Sequence, residues 1–269
     1  MKKILVFPVV LSMLGIPSWT QQQAQNQNQN VNACESEASA AAAAAAAQTK
    51  EEKEKNGNRL RESRDVLKTM LTGTSPIAKP LIEKAKCVVV IPRLKRAAFA
   101  FGVDYGKGMM SCRLGENFDG PWSAPSMYVL EGANFGFQIG VQSTDLILLV
   151  MNERGVNSLL RSKSKLGGDA SVAAGPVGRS AMAATDLGFR ADILAFSRTG
   201  GVYAGVAING SSLRPDNDGN DLIYGRQLTA KEIVRSGEVA ATADGRPVVQ
   251  LLDQSADIAA TGKAPGANK

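Results

Sequence analysis

The stretch Ala97-Ala-Phe-Ala-Phe-Gly-Val-Asp-Tyr-Gly106 decides the fold, because large and small residues alternate along it. The large residues are Phe99, Phe101, Val103 and Tyr105, and the short ones are Ala98, Ala100, Gly102 and Asp104. A period of two residues is typical of a β-strand. Glycine weakens the interior of a strand, so its use on one face predicts that this face lies close to another backbone or bends strongly.

The same alternation recurs at Phe135 to Gln142 and at Val202 to Ile208, again with glycine on the small face. The connections between these strands are too short for crossover helices, which favours antiparallel pairing. Helical patterns precede and follow the strands, at Arg59–Met70, Lys79–Ala85, Asn152–Arg161, Thr229–Arg235 and Arg246–Gln254. We therefore expect an α+β domain, with an antiparallel glycine-rich sheet in meanders, N-terminal amphipathic helices and short C-terminal helices.

Composition divides the chain of 269 residues into four segments. Lys2 and Lys3 precede an apolar stretch that is typical of an export signal, with an uncleaved anchor as the alternative. Asn56-Gly-Asn58 is expected to end an alanine-rich helix. The predicted order is a signal peptide at 1–20, a disordered Gln/Asn linker and alanine helix at 21–57, a folded domain at 58–255 and a disordered tail at 256–269. The protein is then exported, periplasmic or secreted, and peripheral on a membrane.

Positive charge is concentrated in the first part of the folded domain. Arg59 to Arg113 contains twelve Lys and Arg against four Asp and Glu, whereas the whole chain carries only +6. A basic surface of this kind attracts anionic lipid headgroups. The candidate headgroup residues are Lys84, Lys86, Arg93, Lys95, Arg96, Lys107 and Arg113.

The helix beside these cations has an apolar stripe that offers two interpretations. Its residues are Leu60, Val66, Leu67, Met70 and Leu71. The stripe either inserts shallowly into a membrane or packs on the sheet while the charges keep the protein soluble.

Several function classes lack support in the sequence. The chain has no histidine, which removes histidine triads and zinc–histidine sites, and no nucleophile lies beside a recognisable base. The segment Asp216–Asp221 resembles a calcium loop only in composition, so a turn is expected there. Aromatic residues make up 5% of the chain, and it has no nucleic-acid or nucleotide-binding motif. We expect no catalytic residue, metal or cofactor.

Three cysteines leave the redox state open. Cys87 and Cys112 flank a compact β segment, where they form either a disulfide or two buried thiols. Cys34 follows Val-Asn-Ala, which superficially resembles a lipidation signal, but a polar stretch separates it from the apolar segment.

A set of motifs between Arg59 and Asp253 resembles one family. The motifs are Arg96, Gly102, Gly106 and Gly108; Trp122 and Pro125; Gln138-x-Gly140 with Ser143-Thr-Asp145; Gly175-Pro-x-Gly178; Tyr203-Ala-Gly205; and Tyr224-Gly225. In this order and spacing they resemble the SYLF domain. The resemblance implies binding of phospholipids or phosphoinositides without catalysis and, in eukaryotic members, binding of actin.

The export signal and the resemblance together predict a secreted bacterial member of the SYLF family that binds anionic phospholipid surfaces through its basic N-terminal third. The alternative is an envelope module that binds or scaffolds another protein. Actin-type binding follows only from analogy with eukaryotic members.

Overall fold

The computed structural model describes residues 18–72, 77–99, 101–135, 140–176, 191–199, 202–205, 208 and 210–261. The chain divides into two units, Met1–Lys50 and Glu51–Lys269. In the first unit the described residues are helical, and the side chains described from residue 39 onward are exposed. Every strand that the structure describes belongs to the second unit.

The described helices are α1 (Ser18–Thr72), α2 (Lys79–Lys84), α3 (Glu153–Leu159), α4 (Asn217–Tyr224), α5 (Ala230–Arg235) and α6 (Arg246–Thr261). The described strands are β1 (Cys87–Phe99), β2 (Phe101–Cys112), β3 (Ser126–Phe135), β4 (Gly140–Val150), β5 (Ser164–Lys165), β6 (Val172–Ala174), β7 (Ile193–Thr199), β8 (Val202–Gly205) and β9 (Ser212–Pro215). No helix among the described residues is long and apolar enough to cross a bilayer.

The described strands form one mixed sheet with the order β5-β9-β3-β2-β1-β4-β7-β6, and β8 also pairs with β7. Pairing is antiparallel except between β6 and β7. β1, β2 and β3 form a meander, whereas β4 pairs with the other side of β1. The α+β class and the antiparallel sheet are confirmed, with meander connectivity limited to the first three strands.

Both faces of the sheet are covered in its central part. One face packs against α1, α2, α4 and α6 through Leu60, Leu81, Ile223 and Val248, which are all buried. The opposite face packs against α3 and α5 through Val156 and Ile233. Because both faces are buried, β1 can be a nearly continuous apolar run from Cys87 to Ile91.

The fold-deciding stretch is two strands rather than the single strand that its alternation predicted. Phe99 at the end of β1 pairs with Phe101 at the start of β2, and Ala98 pairs with Gly102. Large and small residues alternate in the same way before and after a tight turn. Periodicity alone therefore does not distinguish one long strand from two strands joined by such a turn. The stretch Phe135–Gln142 is likewise divided between β3 and β4, and residues 136–139 lie outside the described part.

The prediction that the glycine face lies against a neighbouring backbone is confirmed in β2. The pairing of β1 with β2 shifts register between Val90 and Lys95, which marks an irregularity in β1. A Cβ added at Gly108 would lie 1.9 Å from the Val90 carbonyl oxygen. Only a residue without a side chain fits where β1 bends over β2.

Helix α1 does not end at Asn56-Gly57-Asn58, and the predicted disordered Gln/Asn linker is part of this helix. Asn56 is buried, and a Cβ at Gly57 would lie 2.5 Å from Asp244 Oδ2. Close packing therefore requires glycine at this helical position, at a modest cost in helix propensity. Gln and Ala favour helix, which explains the continuous N-terminal part. The terminal helix α6 also continues past residue 255, to Thr261.

The segment compared with a calcium loop is the capped start of α4. The Asp216 side chain accepts a hydrogen bond from the Gly219 N–H, as an N-cap does. Asn220 is fully buried, and its Oδ1 accepts from the Met127 N–H at 2.7 Å. The described residues contain no cluster of three or more acidic or cysteine ligands that could hold a metal.

Cys87 and Cys112 form a disulfide between β1 and β2. They face each other in the register of the two strands, and both side chains are fully buried. The sequence was consistent with either a disulfide or two free thiols. The structure has the disulfide, because the register of β1 and β2 brings the two Cα atoms to 3.9 Å.

Asp192 is a buried carboxylate that joins α3 to the start of β7. It is 1% exposed and accepts hydrogen bonds from Asn152, Arg154 and Ser171. Burial by itself raises the pKa of Asp192, but the hydrogen bonds from Arg154, Ser171 and Asn152 outweigh burial and hold the pKa well below its usual range.

The depressed pKa of Asp192 predicts a loss of stability in acid. The ionised Asp192 contributes fully to the free energy of unfolding above the pKa of an aspartate in the unfolded chain, about 3.9. This contribution falls as the pH drops towards the pKa of Asp192 in the folded protein. The midpoint of urea denaturation should therefore decrease below about pH 4, and Asp192→Asn should be less stable at neutral pH and less acid-sensitive. Asp119→Asn, at an exposed position, is the control. Equal acid sensitivity of wild type and Asp192→Asn would contradict this prediction.

Candidate functional site

The seven predicted headgroup cations do not converge on one surface. Lys84, Lys86 and Arg113 lie at the end of the sheet where β1 begins and β2 ends, and the other four lie farther along the two strands. Lys86 and Lys95 are separated by nine residues of mostly extended chain, about 30 Å. The charge excess in the sequence is therefore divided between two regions.

The cations at the first end fasten the connection between β2 and β3. Lys86 Nζ donates to the Asn117 carbonyl oxygen at 2.8 Å and lies 5.1 Å from the centroid of the Phe118 ring. Arg113 Cζ lies 4.7 Å from the centroid of the Trp122 ring, and burial lowers the pKa of Arg113. Lys86 and Arg113 therefore have a structural role, which is to hold the β2–β3 connection against the sheet.

Three of the remaining cations form ion pairs within the domain. Arg93 pairs with Glu62 of α1. Arg96 Nε lies 3.3 Å from Asp104 Oδ1, and Lys107 Nζ lies 2.8 Å from Asp216 Oδ2. Lys95 is exposed and forms no ion pair with any residue that the structure describes. Of these four cations, Lys95 is therefore the one whose charge is most available to a ligand.

The apolar stripe of α1 faces the core. Leu60, Leu67 and Met70 are fully buried and Val66 is 7% exposed, while Leu71 is partly buried against the same cluster. The prediction that these residues insert into a membrane is wrong for this folded state, because burial on the sheet already satisfies their apolar surface. The alternative, packing of the stripe on the sheet, is the observed one.

An apolar region whose exposure the sequence did not predict lies beside Lys95. Val103 is 59% exposed and Tyr105 46%, and they are the exposed large hydrophobic side chains among the described residues. In the strand register Tyr105 pairs with Lys95, Val103 with Ala97, and Lys95 with Ser143. Directly paired residues share a face. We call the group Lys95, Ala97, Val103, Tyr105 and Ser143 the β1–β2 surface.

A cavity of about 350 Å³ adjoins the β1–β2 surface. Its lining includes Val103, Asp104, Tyr105, Glu131, Gly132 and Lys163. Glu131 Oε1 accepts from Arg214 Nη2 at 2.9 Å, which raises the pKa of Arg214. Apolar, acidic and basic side chains therefore meet at one end of the sheet.

Residues 131–255 match a family model described as "Ysc84: Las17-binding protein actin regulator". The matched segment begins in β3 and contains every later element up to α6, including Glu131, Gly132 and Lys163 of the cavity lining. This match and the relatives below support the Ysc84, or SYLF-domain, family for this chain.

The relatives are eukaryotic proteins. The chain is 36% identical over 185 residues to an SH3 domain-containing protein of Schizosaccharomyces pombe, covering 67% of this chain and 42% of the relative. It is 35% identical over 188 residues to Protein YSC84 of Saccharomyces cerevisiae, covering 68% of this chain and 39% of that relative. It is 30% identical over 201 residues to SH3 domain-containing YSC84-like protein 1 of Xenopus laevis, covering 72% and 58%. The chain thus spans about two fifths of the two yeast relatives and just over half of the frog relative.

Proposed function

We propose that the domain binds anionic phospholipid surfaces without catalysis, with the β1–β2 surface against the bilayer. The observation that carries the proposal is the exposure of Val103 and Tyr105 beside Lys95, which forms no ion pair with a residue in the described part of the chain. Tyrosine and lysine suit the boundary between lipid and water because each combines an apolar body with a polar end. Of the seven cations predicted from the sequence to bind headgroups, this proposal keeps only Lys95.

We also propose that the protein is an exported, bacterial member of its family. The disulfide between Cys87 and Cys112 supports this location, because disulfides persist in oxidising compartments. The charged, then apolar first residues of the chain point the same way.

Binding to anionic liposomes should depend on both parts of the β1–β2 surface. Lys95→Glu should weaken binding about tenfold and increase sensitivity to salt, since each basic residue near a charged bilayer contributes about 1 kcal/mol and charge reversal removes more. Val103→Ser with Tyr105→Ser should weaken binding at least as much by removing apolar contact. Co-sedimentation of the full chain with phosphatidylcholine or phosphatidylcholine–phosphatidylglycerol liposomes measures both effects.

The matched control is Lys231→Glu, which reverses an exposed charge on α5, on the opposite side of the sheet. It changes net charge equally and should change binding little. Equal weakening by Lys95→Glu and Lys231→Glu would show a non-specific charge effect and reject the β1–β2 surface. Absence of binding to any liposome would reject the lipid function.

A protein partner is the second candidate, favoured by the description of the matched family as a Las17-binding protein. The same exposed Val103 and Tyr105 would then contact that partner. Binding of the full chain to a protein, weakened by the double serine variant while liposome binding is absent, would select this candidate.

A further inference from the structure

The chain is uncharged where β1 is followed by β2 and where β3 is followed by β4. Residues 97–103 read Ala-Ala-Phe-Ala-Phe-Gly-Val, and residues 132–144 contain no charged side chain either. We propose that this end of the sheet enters the hydrocarbon region of the bilayer. The inference rests on the proposed membrane binding and adds to it which residues insert and how deeply.

The strand register arranges this end of the sheet in three rows that change from polar to apolar. Each row consists of residues that lie opposite one another on neighbouring strands. The first row is Glu131, Tyr105, Lys95 and Ser143; the second is Ala133, Val103, Ala97 and Val141; the third is Phe135, Phe101 and Phe99. Positions two apart along a strand belong to one face, so the three rows follow one another on a single face of the sheet.

The order of the rows matches the layers of a lipid leaflet. Lysine and tyrosine suit the headgroup layer, whereas valine and phenylalanine favour hydrocarbon. The exposure of Tyr105 and Val103, at 46% and 59%, leaves both side chains free to contact lipid. The phenylalanine row, which we define as Phe99, Phe101 and Phe135, stands at the ends of β1 and β3 and the start of β2.

The spacing of the rows is sufficient for insertion. Two residues advance a strand by about 7 Å, so the phenylalanine row lies about 14 Å beyond the row of Lys95 and Tyr105. The headgroup layer on each side of a bilayer is about 5–8 Å thick. With Lys95 and Tyr105 among the headgroups, the phenylalanine row therefore reaches hydrocarbon even if the sheet is tilted.

The backbone of the two central strands also suits hydrocarbon, where every backbone polar group needs a partner within the protein. Near the end of β1, Ala98 pairs with Gly102 on one side and with Gly140 on the other. At the start of β2, Phe101 pairs with Phe99 and with Phe135. Both strands are thus paired on both sides as far as the phenylalanine row, and the hairpin of β1 and β2 is the part assigned to the deepest position.

The nearest charges on β1 and β2 limit the depth of insertion. Arg96 and Asp104 directly bound the uncharged run, and they lie opposite each other in the register. Arg96 Nε lies 3.3 Å from Asp104 Oδ1, so the two charges compensate each other within the protein. The uncharged run between them forms the inserted part of the hairpin.

Insertion depth is measured with brominated lipids, which quench tryptophan fluorescence at known depths in a bilayer. Phe101→Trp and Tyr105→Trp place a reporter in the third and the first row of the full chain, bound to phosphatidylcholine–phosphatidylglycerol liposomes. Bromines near the middle of the acyl chains should quench Phe101→Trp more than bromines near the headgroups, and Tyr105→Trp should show the reverse. Glu153→Trp, at an exposed position on α3, should show only the quenching that Trp19 and Trp122 give in the wild type.

A charge in the phenylalanine row should oppose insertion. Phe101→Asp should weaken liposome binding about a hundredfold, because a carboxylate in hydrocarbon is strongly unfavourable. Asn117→Asp, which adds the same charge at an exposed position in the β2–β3 connection, is the matched control and should bind as wild type. Circular dichroism checks that each variant folds, and the tryptophan variants test insertion independently if Phe101→Asp does not.

The outcomes separate insertion from the membrane function on which it rests. Shallow quenching in both tryptophan variants shows a surface that lies on the headgroups, which overturns insertion and leaves the membrane function standing. Binding without extra quenching in either variant rejects the β1–β2 surface as well. Absence of binding to any liposome overturns both proposals. If Phe101→Asp keeps its liposome binding but dissociates a dimer that the wild type forms in solution, a second copy of the chain covers the phenylalanine row and insertion is overturned.

Discussion

Gly108→Ala should lower the free energy of unfolding by about 4 kcal/mol, more than overpacking usually costs. The added Cβ would lie 1.9 Å from the Val90 carbonyl oxygen and 2.8 Å from Ile91 Cα, which are both backbone atoms. A side chain could rotate away from such a contact, but a backbone in the centre of the sheet has to move together with its strand pairing. β1 pairs on both sides at this point, with β2 and β4.

Gly106→Ala and Gly168→Ala provide a graded comparison. A Cβ at Gly106 would meet mainly side-chain atoms, with Ile91 Cγ2 at 2.6 Å and Leu94 Cδ1 at 3.0 Å, so a smaller loss of about 2 kcal/mol is expected. A Cβ at Gly168 would meet nothing closer than 3.6 Å, and Gly168→Ala should be close to neutral. Urea denaturation followed by circular dichroism measures all three. Wild-type stability in Gly108→Ala would contradict the close approach of β1 and β2.

The sequence predicted local alternation correctly but not where the chain reverses. Ala97 to Gly106 has the period of a strand throughout, and the change from β1 to β2 inside it depends on the pairing of Phe99 with Phe101. At Gly57 the local prediction itself was wrong. The propensity of glycine predicts the end of a helix, whereas close packing against Asp244 requires glycine inside the continuous helix α1. Local propensity is a weak prior that tertiary contacts override.

The candidate site was hard to predict for a similar reason. Counting charge identified Arg93, Arg96 and Lys107, but their partners Glu62, Asp104 and Asp216 come from three different elements. These pairings depend on tertiary contacts that a charge count does not contain, and they neutralise three of the seven predicted cations. Val103 and Tyr105 were placed on one strand face by alternation, yet their exposure depends on how far α1 covers the sheet. That coverage is a property of tertiary packing.

Removing the disulfide should lower stability by about 3.5 kcal/mol. Cys87 and Cys112 are 25 residues apart, and closing a loop of this length restricts the unfolded chain by about that amount in the chain-entropy model. Cys87→Ala with Cys112→Ala avoids leaving a polar hydroxyl or a single reactive thiol in the core. Urea denaturation of this double variant should show the loss without reductant.

The control for the disulfide is the reductant itself, because it separates the covalent bond from the packing of the two side chains. Wild type should lose stability on reduction and approach the double variant, while the double variant should not change with reductant. Cys34→Ala should behave as wild type in both conditions, since the bond joins the other two cysteines. If the double variant keeps wild-type stability, loop closure contributes nothing to this fold. In that case the central pairing of β1 with β2 is held by its backbone hydrogen bonds and by the buried side chains of both sheet faces alone.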